Sequence, residues 1–234
     1  MRAFLLLVAL AATCGARAGV AAQAGTHTSQ ARARAGATVK DLLAGLKGKD
    51  AEAGAAMEAL EGRGAEAVPP LERFLKEEKN ALHRLRAAVV LAAIDADNPS
   101  VVPALIEVAK GRGFFDSEET LVARREAGMA LSLTPAGIRA LPALFKDGDV
   151  FVRRSAAFAL DDATEVLDSV EAARLEAIGD VLPALVGALE DGDEVVREMS
   201  CEVLGQVVRS EVEPLSSKAE RLLKERGKSP GECE

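Results

Sequence analysis

Three phrases recur along this chain in one form: Val102-Pro103-Ala104-Leu105, Leu141-Pro142-Ala143-Leu144 and Leu182-Pro183-Ala184-Leu185, with Val68-Pro69-Pro70-Leu71 as a looser fourth. Each is followed by an apolar run of helical period, a polar break, and a second run built on an arginine. A short unit of this kind cannot bury its apolar face alone. Stacking it on its neighbours does, so the pattern predicts an array of helical hairpins rather than one closed core. Proline is tolerated in a first helical turn, where its missing N–H has no partner to lose, so each phrase reads as a helix start.

The second helices align without gaps. Asp149 is taken as a helix cap; four residues on is Arg153, then the small pair Ala156 and Ala157, then Leu160. The next unit repeats this as Asp193, Arg197, Ser200, Cys201 and Leu204. Earlier units give Asn80, Arg84, Ala87, Ala88, Leu91 and Thr120, Arg124, Ala127, Gly128, Leu131. Asn, Thr and Asp accept from the free N–H groups of a first turn. The small pair permits close helix approach, and the Leu, seven residues after the Arg, returns to the same face. A unit around Ala53, Ala56 and Leu60 lacks the arginine, as a capping end repeat does. Aromatics are only 3% of residues, with no Trp or Tyr, so Ala, Leu and Val must build the core.

The x-Pro-Ala-Leu phrase, the acidic cap and the Val-Arg pairs Val152-Arg153 and Val196-Arg197 resemble HEAT repeats, in particular the short bacterial type also found in phycobilisome lyases. The resemblance covers roughly residues 38–210 and implies an all-α, right-handed solenoid of about five helical hairpins. It also implies a ladder of Asp–Arg contacts between neighbouring repeats, carried onto Asp149, Arg153, Asp193 and Arg197. Asn80 and Thr120 depart from the acid of that pattern.

The spacing breaks twice. Pro70 to Asn80 and Pro183 to Asp193 are each ten residues, but Pro103 to Thr120 is seventeen, with Gly111-Arg112-Gly113-Phe114-Phe115-Asp116-Ser117 as the surplus. A second surplus, between Leu160 and Pro183, predicts a small helix near residues 170–178. Phe114 and Phe115 read either as two rings buried by a loop that folds back or as an exposed anchor for a partner.

Met1-Arg2 and the ten apolar residues 3–12 have the layout of an export signal, with Ala16-Arg17-Ala18 or Ala22-Gln23-Ala24 for cleavage. The expected organisation is a signal at residues 1–18 (cleaved between 14 and 24), a flexible tether at 19–37, the solenoid at 38–226 and a disordered tail at 227–234. Residues 10–14 resemble a bacterial lipoprotein box, which makes Cys14 the candidate for lipidation and a lipid chain the one expected membrane attachment. The protein is expected in the periplasm or outside the cell, as a monomer.

From Asp41 onward the chain carries 24 basic and 37 acidic residues, a balance of −13. Such a body repels phosphate backbones, and the missing Tyr and Trp remove the best base-stacking groups. With only two histidines, His27 and His83, neither a His-based zinc site nor a Ser-His-Asp triad is supported. Asp147-Gly148-Asp149 and Asp191-Gly192-Asp193 look like metal loops, but they recur at one place in the repeat and read as turn and cap. Cys201 fills a small-residue slot, so packing explains it, and a bridge to Cys233 is not demanded.

These readings predict no catalytic residue, cofactor or metal. The expected function is a scaffold or adaptor that holds a protein on the concave face, through Arg125, Met129, Arg154 and Phe158, with Phe114 and Phe115 beside them. Arg, Met and Phe suit such a surface. The resemblance leaves two rivals: a lyase or chromophore-attachment chaperone, and a nucleic-acid binder like the HEAT-fold DNA glycosylases, against which the acidic body counts.

Overall fold

The computed structural model describes residues 36–111, 118–164, 167, 171–210 and 212–229, with side chains 112–121 left undescribed. Among them the chain forms eleven α-helices and no strand. These are α1 (Val39–Gly45), α2 (Asp50–Arg63), α3 (Val68–Glu77), α4 (Ala81–Ile94), α5 (Val101–Lys110), α6 (Glu118–Ser132), α7 (Pro135–Leu144), α8 (Val150–Thr164), α9 (Ala172–Ala188), α10 (Glu194–Arg209) and α11 (Leu215–Glu225). A 3₁₀ turn, Gly64–Ala67, joins α2 to α3.

The helices stack as five hairpins closed by α11. Each second helix (α2, α4, α6, α8, α10) packs on the next second helix and on its hairpin partner. The result is an all-α solenoid of two helical layers with one continuous apolar core between them. Thr38 opens the array with a capping box: Asp41 N–H donates to its hydroxyl at 3.2 Å, and its own N–H donates to the Asp41 carboxylate at 3.0 Å.

The repeat register maps onto the core. Ala87, Ala88, Ala127, Ala156, Ala157 and Ser200 are fully buried, as are Leu91, Leu131, Leu160 and Leu204. At Gly128 the approach is close: a Cβ there would lie 2.7 Å from the Ser155 carbonyl oxygen, so α6 and α8 meet backbone to backbone. Asn80 and Asp193 cap α4 and α10, accepting from His83 N–H at 3.0 Å and Val196 N–H at 3.2 Å.

Four expectations are corrected. Pro142 and Pro183 lie inside α7 and α9 rather than at their starts. For α7 the start is Thr134-Pro135, where the Thr134 hydroxyl accepts from Gly137 N–H at 3.0 Å and Pro135 occupies the first turn. The surplus before Pro183 does not make a separate small helix; it extends α9 by several turns at its N-terminus. Thr120 is not a cap, because α6 already begins at Glu118. Cys201 is disulfide-bonded, not merely packed. The chain's other cysteines, Cys14 and Cys233, lie outside the described residues, as do Phe114, Phe115 and the segment expected to direct export.

Candidate interaction surface

The second-helix row carries most of the candidate residues. Its repeats are joined by arginines that reach forward into the next hairpin's turn. Arg124 donates from Nε to the Ala109 carbonyl at 3.1 Å and from its guanidinium to the Asp149 carboxylate. Arg153 grips Asp191 with Nε at 2.8 Å and Nη2 at 3.1 Å, while its Nη1 donates to the Asp147 carbonyl at 3.0 Å. Arg154 holds Asp193 in the same forked way, at 2.9 and 2.7 Å. Such bidentate pairs fix orientation as well as distance.

Each of the four implied ladder residues meets a residue outside that set. Asp149 answers Arg124, and Asp193 answers Arg154, while Arg153 takes Asp191. Arg197 donates to the Asp191 carbonyl at 2.8 Å and makes no ion pair among the described residues. Arg154, expected as a free contact for a partner, is part of the ladder. Its pairing raises its own pKa and pulls the Asp193 carboxyl down to about 2, an effect to which the Val196 N–H adds. In Asp191 burial pushes upward, but the Arg153 fork and the Asp193 N–H outweigh it and leave the carboxyl lowered.

Arg86 plays the matching part at the arginine-less first hairpin. Its Nη1 donates to the carbonyls of Leu46 and Gly48 at 2.8 and 3.0 Å, and its Nη2 to Asp50 at 2.8 Å. A second line of polar contacts runs near the helix ends: Ser132 donates to Asp162 at 2.8 Å, and Gln206 bridges Thr164 and Asp161 at 2.7 and 3.1 Å.

Phe151, in the first turn of α8, was not among the expected contacts. Its ring is 48% exposed and lies between two guanidiniums, 5.6 Å from that of Arg124 and 5.8 Å from that of Arg154. Both are within cation–π range. Val122 is 39% exposed at the same register of the preceding repeat. The half-buried Leu82 and Val195 fill that register in α4 and α10, so an apolar residue stands at this position in all four of these second helices. The only sequence signal for it is the second residue after each cap. Arg125 is exposed and makes no ion pair among the described residues; Met129 and Phe158 are half-buried. Leu85, one residue after Arg84, is buried in the core. Half-buried His83 lies 3.7 Å from Glu78.

No helix among the described residues is long and apolar enough to cross a membrane. No curated protein matches the chain. An X-ray structure of YibA of E. coli is similar at 17% identity over 90% of this chain and 82% of that one, with a TM-score of 0.38. Residues 181–210, the end of α9 and the whole of α10, match the HEAT repeat family model. The chain is thus an all-α solenoid that carries a HEAT repeat in its fifth hairpin.

Proposed function

We propose that this protein is a non-catalytic scaffold of the cell envelope that docks a protein partner on the second-helix row around Phe151. HEAT repeats generally mediate protein–protein interaction, and the match at residues 181–210 supports a protein partner at that coarse level. The observation that carries the finer reading is the Phe151 ring, half in solvent yet clasped by Arg124 and Arg154. Those arginines are themselves pinned by Asp149 and Asp193, so the ring is a preorganised aromatic anchor with little side-chain entropy left to lose.

Beside it, Val122 is an exposed apolar residue at the same register, and Arg125 is exposed and pairs with no acid among the described residues. This combination fits a partner segment that places an apolar side chain on the ring and an acid nearby. The apolar stretch at residues 3–12 and the disulfide at Cys201 support an oxidising compartment outside the cytoplasm.

Cross-linking capture from envelope extract tests this directly. One enriched protein should appear with the parent chain, should be reduced at least tenfold by Phe151→Ala, and should be unaffected by Glu77→Ala on the opposite layer. Equal enrichment by parent and Phe151→Ala removes the proposed surface.

A further inference from the structure

We propose that the cleft between α3 and α5 binds a small anionic molecule through a carboxylate or phosphate group, with Arg84 as the donor at its base. The cleft holds about 570 Å³, the size of small-molecule sites. It is lined by Glu72 and Lys76 of α3, Lys79 of the following turn, Arg84 of α4, and Ser100 and Glu107 at α5.

Arg84 stands at the same register as Arg124 and Arg153, and it is the under-bonded member. Arg153 forks onto a carboxylate that is only 11% exposed and also reaches two backbone carbonyls. Among the described residues Arg84 has one partner, the Glu107 carboxylate, on a side chain 63% exposed. Its own side chain is 15% exposed and its Nε is buried without an acceptor among the described residues. A buried N–H without a partner calls for an explanation. A forked oxyanion supplies one, replacing Glu107 on Nη2 and accepting from Nε along the same edge of the guanidinium.

Three cations, Lys76, Lys79 and Arg84, share the cleft with three carboxylates, Glu72, Glu78 and Glu107. Each carboxylate at the cleft is already engaged: Glu72 accepts from Asn98 at 3.0 Å, Glu78 is held by Lys47 at 2.5 Å and by the N–H groups of Lys79 and Asn80, and Glu107 meets Arg84. Lys76 and Lys79 are exposed on the rim and take part in no ion pair among the described residues. Ser100, at the start of α5, lines the cleft, and its N–H donates to the Asn98 side chain at 3.0 Å.

Calorimetric titration of the full chain at constant ionic strength, once with inorganic phosphate and once with succinate, tests the site, while NMR follows the Arg84 Nε–H resonance. At least one anion should bind saturably and shift that resonance, and the tighter arm tells phosphate from carboxylate. Glu107→Gln, an exposed change that removes the internal competitor, should tighten binding several-fold. Arg84→Lys should weaken it about tenfold, because a lysine cannot fork. No saturable binding by the parent and by Glu107→Gln overturns the proposal. So does binding that Glu107→Gln and Arg84→Lys both leave within twofold of the parent, which would place the anion elsewhere.

Discussion

Arg154 and Asp193 meet as two forks across the boundary between the fourth and fifth hairpins, at 2.9 and 2.7 Å, and the same carboxylate caps α10 through the Val196 N–H. One acid thus starts a helix and locks it to the previous repeat. The pair also holds one side of the Phe151 ring in place, so the ladder and the proposed docking surface share a side chain.

This relationship changes what a charge reversal should do. Arg154→Glu faces Asp193 with a like charge and should lower Tm clearly, whereas Phe158→Ala in half-buried surroundings should lower it less. Equal Tm for Arg154→Glu and the parent would show the pair is not formed in solution.

The same carboxyl sets an acid limit. Arg154 pulls the Asp193 pKa from 3.8 to about 2, so its contribution is complete above about pH 4 and is lost as pH falls through about 2. Glu78 acts in the same direction: burial pushes its pKa up, but the Asn80 N–H and Lys47 overcome this and hold it at about 2 against 4.5. Stability should therefore fall between about pH 4.5 and pH 2, and Asp193→Asn should flatten the lower part of that slope. Denaturant titrations at fixed pH steps read it; an unaltered slope in Asp193→Asn refutes the assignment.

Gly128→Ala should destabilise the solenoid by about 1–3 kcal/mol through overpacking. The new Cβ would sit 2.7 Å from the Ser155 backbone oxygen, so trimming Ser155 to Gly should restore only a small part. Chemical denaturation checks both variants, and full rescue by Ser155→Gly would show that the backbone is not the obstacle.

Ser200→Ala should stabilise the protein, by about 1 kcal/mol. Its Oγ is buried without a hydrogen-bond partner among the described residues, and alanine already fills the same register at Ala156. A lowered midpoint in urea would mean that the hydroxyl is satisfied after all.

Arg86→Met should loosen the first hairpin by about 1–3 kcal/mol, since it strips the donor from the carbonyls of Leu46 and Gly48. Hydrogen exchange should speed up in α1 and α2 well before α8 and α10. Uniform protection along the chain would rule out this anchoring role.

Much of the fold was legible in one dimension. The cap, the small pair and the leucine recur at helical spacing, and each answers to forces acting within a turn or two of its own helix or on the face it buries. Asn80, Asp193, Ala156, Ala157 and Leu160 could be placed from that spacing alone. Helix starts were less legible where two signals compete: Thr134-Pro135 caps α7 better than Pro142 could, and α9 runs through Pro183 because its burial outweighs one lost N–H.

Partner choice was not legible. Whether Arg153 meets Asp191 or Asp193, which arginine answers Asp149, and that Arg86 reaches back to Leu46 all depend on how far each hairpin turns against the last. That rotation is set by packing between side chains forty residues apart, not by local pattern. The same holds for Phe151 and Arg84. The sequence by itself determined the helices, their register and the buried faces, because those follow from local periodicity and capping. The tertiary structure decided which charges pair, which ring stays in water and which arginine is left short of a partner, because these are set by distances that exist only once the hairpins have stacked.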